Sequence, residues 1–209
     1  MTQPPTIALF TGDSITDAGR RTDPHGHLGA GYVRRISEMA EAAAAPLRVV
    51  NTGVGGDRTT ELLARWSTDV IECRPDVLTV LVGVNDMWRR YDASTPTSPE
   101  EFEANYRLLL DRVRNELDLR QLVLMDPFVV PIRADQAHWF EEDLKAKVEI
   151  VNDLATQWDA VHIPLHELFT AKADESGPHS VVEDGVHPTA DGHDLIAQAW
   201  WRSVGPRVA

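Results

Sequence analysis

The stretch Gly12-Asp13-Ser14-Ile15-Thr16-Asp17, with a serine at its turn, directly follows an apolar run at residues 7–11. A short strand ending on a glycine turn holds such a hydroxyl on rigid backbone, with the N–H groups of the turn aimed at whatever it attacks. A serine hydroxyl is a weak nucleophile at neutral pH and needs a base. One stands near the other end of the chain, in Asp184-Gly185-Val186-His187-Pro188. His187 can take the proton of Ser14, and Asp184 can fix the imidazole tautomer and stabilise its charged form. Attack on an ester carbonyl creates an oxyanion, which needs donors already in place. Three are available: the N–H of Ser14, the N–H of Gly56 and the side-chain amide of Asn85. Asp13 and Trp88 are candidate substrate contacts, Trp88 as an apolar wall for a sugar face.

These residues need elements to hold them. Runs rich in Val, Ile and Leu at 7–11, 47–51, 77–82, 121–125 and 161–163 read as buried parallel strands. Amphipathic segments lie between them. Ser98-Pro99-Glu100-Glu101 is a helix start, and Phe102, Tyr106, Leu109, Leu110, Val113 and Leu117 follow on one face. Leu62, Leu63, Trp66 and Val70 form a second stripe. A last helix beginning near Thr189 is expected to bury Leu195, Ile196, Ala199 and Trp200. The alternation predicts an α/β fold, a three-layer α/β/α sandwich around a mostly parallel, doubly wound sheet of about five strands. In such a sheet ligands bind beyond the carboxyl ends of the strands, where Ser14, the Gly53-Val54-Gly55-Gly56-Asp57 segment, Asn85 and the 184–187 loop all fall.

The blocks G-D-S-I-T-D (12–17), N-T-G-V-G-G-D (51–57), G-V-N-D (83–86) and D-G-V-H-P (184–188) resemble, in order, the four blocks of the SGNH (GDSL) hydrolase family. The resemblance spans the chain and implies a single flavodoxin-like hydrolase domain over residues 1–209. It implies Ser14 as nucleophile, Asp184 and His187 as its partners, and Ser14, Gly56 and Asn85 as the oxyanion hole. Gly53, Gly55 and Gly56 compete for the second donor; Gly56 is chosen because it precedes Asp57, as the family's glycine precedes a polar residue. Gly29-Ala30-Gly31-Tyr32-Val33, Arg65-Trp66, Asp69-Val70 and residues 83–92 look most like intracellular carbohydrate acetylesterases of the acetylxylan esterase type. That likeness implies acetylated sugars as substrates, no cofactor and a homo-oligomer. Such relatives tend to carry an aromatic before the triad aspartate, where this chain has Glu183.

Bulk properties narrow the alternatives. The 209 residues fit one sizeable domain, and a net charge of −13 would repel nucleic acid and anionic membranes. The single cysteine, Cys73, permits a reducing compartment. With no secretory leader and no membrane-length apolar run visible, the expected location is cytoplasmic. Asp13 and Asp17 also read as turn-stabilising residues, Asp57 as a helix cap, and Asp86 as orienting its own loop. His25 and His27 read as solvated loop residues rather than metal ligands, and no metal is expected. A lysophospholipase or thioesterase acting on longer acyl chains is the alternative within the same mechanism. A nucleotide-binding protein is a rival from another class, but its glycine fingerprint fails at Arg58.

Overall fold

The computed structural model describes residues 4–24 and 26–208. Five strands, β1 (Thr6–Gly12), β2 (Leu47–Asn51), β3 (Val77–Leu81), β4 (Gln121–Met125) and β5 (Val161–Ile163), form one sheet in the order β2-β1-β3-β4-β5, with every pairing parallel. Inner strands of such a sheet are buried on both faces, which is why their residues are apolar without alternation. The period of two survives in which face each residue serves. Ala8 and Phe10, Val77 and Leu81, and Val123 and Met125 join one core; Leu9, Leu78 and Val80, and Leu122 and Leu124 join the other.

Helices cover both faces. The first core is completed by α2 (Tyr32–Ala42) and α8 (Ala190–Val208), which pack on each other, with α7 (Leu165–Ser176) beside them. Trp200 of α8 donates its indole N–H to Thr79 Oγ1 of β3 at 2.9 Å, so the one polar side chain at the centre of that strand is satisfied. The second core is covered by α3 (Thr59–Trp66), α5 (Pro99–Glu116) and α6 (Lys145–Gln157). At the start of α5, Ser98 accepts the N–H of Glu101 at 3.2 Å and Pro99 occupies the first turn. The apolar stripe expected on α5 is buried from Phe102 to Val113, while Leu117 sits at the helix end, half-buried. Leu195 of α8 is likewise half-buried, beside fully buried Ile196 and Trp200. Two further short helices, α1 (Ser14–Asp17) and α4 (Val84–Asp92), begin immediately after β1 and β3.

The chain leaves β1 on one side and β3 on the other, so these neighbouring strands form the switch point of the sheet, where the crossovers diverge and a crevice opens. Gly12 closes β1 there with φ of +153°, and a Cβ on it would lie 1.9 Å from the Leu81 carbonyl oxygen. Only glycine lets the two strand ends approach so closely.

Candidate active site

Ser14 is the first residue of α1, at the rim of that crevice. Its Oγ lies 2.9 Å from His187 Nε2, although 173 residues separate the two in sequence. His187 Nδ1 in turn lies 2.7 Å from Asp184 Oδ2. The Asp-x-x-His segment can do this because Asp184 serves two purposes. Its Oδ1 accepts the N–H groups of Val186 (3.1 Å) and His187 (2.9 Å), which curls the loop, and its Oδ2 is left to hold the ring. Burial pushes the Asp184 carboxyl up, but those hydrogen bonds outweigh it and hold the group below its ordinary value. The loop is fastened from outside as well. Glu183 N–H donates to the His187 carbonyl at 2.8 Å, and fully buried Gln136 donates to the Asp184 carbonyl at 2.6 Å.

The candidate oxyanion donors come from three strand ends. The Ser14 N–H sits in the first turn of a helix, where backbone donors have no intrahelical partner. The Gly55 N–H is committed to Asp17 Oδ2 at 3.0 Å, whereas the Gly56 N–H has no partner among the described residues. Gly56 adopts φ of +89°, in the left-handed region that favours glycine. Asn85 is buried and gives one amide hydrogen to the Asp57 carbonyl at 3.1 Å, leaving the second free. Arg89 reaches its Oδ1 at 3.5 Å, which fixes the amide orientation.

Two residues that spacing does not single out brace these loops. Arg65 of α3 donates to Asp57 Oδ2 (2.5 Å), the Thr52 carbonyl (2.6 Å), Asp69 Oδ2 (2.7 Å) and the Gly12 carbonyl (2.9 Å). One guanidinium therefore ties the end of β1 to the loop after β2. Asn51 donates to the Thr16 and Leu28 carbonyls at 2.7 and 2.8 Å, and accepts the Gly53 N–H. Nothing in the sequence flags Gln136, whereas Arg65 falls within a segment compared with the acetylesterases and Asn51 opens the second hydrolase block.

Several expectations need correction. Asp13, read as a substrate contact, is 1% exposed; its Oδ1 accepts the Ile15 N–H at 3.0 Å, the turn-stabilising role also read for it. Asp57 does not cap α3. Its carboxylate faces Arg65, and the N-terminus of α3 is served by Asp86, which accepts from Thr59 N–H (3.1 Å) and Oγ1 (2.7 Å). Asp86 thus binds α4 to α3 rather than orienting its own loop. Asp17 Oδ1 accepts the Arg20 N–H at 3.0 Å, as a turn residue does, while its Oδ2 accepts the Gly55 N–H from the loop after β2 at 3.0 Å. His25 lies outside the described residues, and among those no group of three or more His, Cys, Asp or Glu is arranged to hold a metal ion. Trp88 is half-buried with its ring centroid 5.7 Å from that of His187, beside the relay.

Ser14 and His187 open onto a cleft of about 390 Å³ that Glu183, Arg35 and His193 also line. A larger cavity of about 680 Å³ lies at the opposite ends of β4 and β5 and touches none of these residues.

Sheet and relay together define a hydrolase on a flavodoxin-like α/β scaffold. The chain belongs to the GDSL-like lipase/acylhydrolase family, whose model matches residues 10–195. It is 31% identical over 207 residues to an acetylxylan esterase of Geobacillus stearothermophilus, covering 94% of this chain and 93% of that one. Among solved structures, a catalytic mutant of an acetylxylan esterase from the same organism, with a serine changed to alanine, superposes with a TM-score of 0.87 at 29% identity, over 98% of this chain and 97% of that one. An α/β hydrolase enzyme from the metagenome of Lake Arreo, Spain, gives 0.86 at 26% identity, over 96% and 95%.

Proposed function

We propose that the protein is a serine esterase that removes O-acetyl groups from small neutral carbohydrates of the xylo-oligosaccharide kind. The observation that carries this reading is the unbroken run of hydrogen bonds from Ser14 through His187 to Asp184 at the mouth of a small cleft. Full-length likeness to an acetylxylan esterase narrows the substrate. Ser14 Oγ attacks the acetyl carbonyl while His187 Nε2 takes its proton. The N–H groups of Ser14 and Gly56 and the Asn85 amide receive the oxyanion. His187 returns the proton to the departing sugar oxygen, leaving acetyl-serine. Water then attacks with His187 as base, and acetate and free serine result.

The reading extends to one hydrolase domain over residues 1–209, in a cytoplasmic homo-oligomer. The family match from residue 10 to 195, the single cysteine and the sequence resemblance support these points. Acetate release from acetylated xylo-oligosaccharides, set beside acetyl and decanoyl nitrophenyl esters, tests the function. Wild type should favour acetyl over decanoyl and keep its rate in excess chelator. Ser14→Ala should be inactive with an unchanged melting temperature. A preference for decanoyl would favour the lysophospholipase or thioesterase alternative instead.

A further inference from the structure

Polar side chains on the cleft wall beyond Ser14 and His187 are Arg35, Glu183 and His193. Four of the five N–H donors of Arg35 are committed: its Nε binds Asp194, Nη1 binds the Ala30 and Gly31 carbonyls, and Nη2 binds the Ala190 carbonyl. An ionised Glu183 only accepts hydrogen bonds. His193, in the first turn of α8, is different. Its Nδ1 lies 3.2 Å from the backbone N–H of Tyr32, the first residue of α2. A backbone N–H can only donate, so Nδ1 is the bare nitrogen and the ring proton sits on Nε2.

The ring has little freedom. It stacks on Tyr32 at 21° between planes, and a Cβ on Gly31 would come within 2.8 Å of Cε1 and 3.0 Å of Nδ1. Burial pushes the imidazole down to about 4, with Arg35 and His187 acting in the same direction and Asp194 opposing, so the ring is neutral at working pH. Nε2 has no protein partner among the described residues, yet it is not closed off from solvent.

We propose that His193 is a substrate-binding residue whose fixed Nε2–H donates to a hydroxyl oxygen of the bound sugar, making the cleft selective for polyhydroxylated acetyl esters. This rests on the esterase reading above. The experiment compares kcat/KM on an acetylated xyloside with kcat/KM on phenyl acetate, which has no hydroxyl to offer. His193→Asn keeps an acceptor near Nδ1 but removes the distal donor. His193→Gln places an amide nitrogen near Nε2 but loses the acceptor for Tyr32. On the xyloside, Asn should lose about tenfold, the worth of one neutral hydrogen bond, and Gln less than about threefold. Both should stay within about twofold of wild type on phenyl acetate.

The reverse order, with Gln impaired and Asn intact, would make His193 a cap for α2 and overturn the proposal. So would equal losses on the two esters. If wild type cleaves phenyl acetate but no acetylated xyloside, the substrate reading itself fails, and that result needs no variant.

Discussion

Asn85 illustrates how one side chain is prepared for a task before any ligand arrives. Its oxygen is held by Arg89 and one of its hydrogens by the Asp57 carbonyl, so the remaining hydrogen has a set direction. Asn85→Ala is expected to lower kcat by about 100- to 1,000-fold with KM little changed, as loss of an oxyanion donor does; a drop under threefold in steady-state assays would make Asn85 structural. Asp13 makes a different point. Burial lifts its carboxyl from 3.8 to about 7 against the Ile15 N–H bond that lowers it. Because the folded value exceeds the unfolded one, the associated stability is intact below about pH 4 and is lost as pH rises through 7. Asp13→Asn keeps an acceptor for Ile15 and cannot ionise. Its melting temperature relative to wild type should therefore climb between about pH 4 and pH 7 and level off above that, and a flat difference across this window would refute this. Neither the burial of Asp13 nor the Asp57–Arg65 pairing can be read locally, since turn residues look alike until tertiary contacts decide which are enclosed.

At the scale of elements, the strands were legible because enclosure on both faces demands unbroken apolar runs, and the start of α5 because its cap is written in four adjacent residues. The π-helical turns at Ser67–Ile71 and Phe140–Leu144 were not, for an extra residue in a helical turn leaves no compositional mark. The four candidate blocks were legible as motifs; the bracing between them was not, because it depends on which loops meet. Arg65 tests that bracing. Arg65→Met should cost about 2–4 kcal/mol, since it leaves nearly buried Asp57 without its cation and the Thr52 carbonyl without a donor, while the Gly12 carbonyl keeps the Val54 N–H. Arg65→Lys should recover only part of this, lacking the planar fork. The urea midpoint at constant slope measures both.

For the molecule as a whole, charge sets the terms of association. The net −13 opposes contact between copies at low salt, and screening relieves it. Light scattering should return a multiple of 23.2 kDa, with the assembly tightening as salt rises to about 0.5 M. A single-chain mass throughout would remove the homo-oligomer. Among the described residues no helix is long and apolar enough to cross a membrane. The order of the sheet carries a consequence in time. In chain order His187 follows Ser14, its hydrogen-bond partner, by 173 residues. At about 5–20 residues per second, translation needs roughly 10–35 s to cover that gap. Because β1 is hydrogen-bonded between β2 and β3, the strand end that carries Ser14 takes shape only once β3 has been made, and its hydrogen bond to His187 waits for the loop before α8.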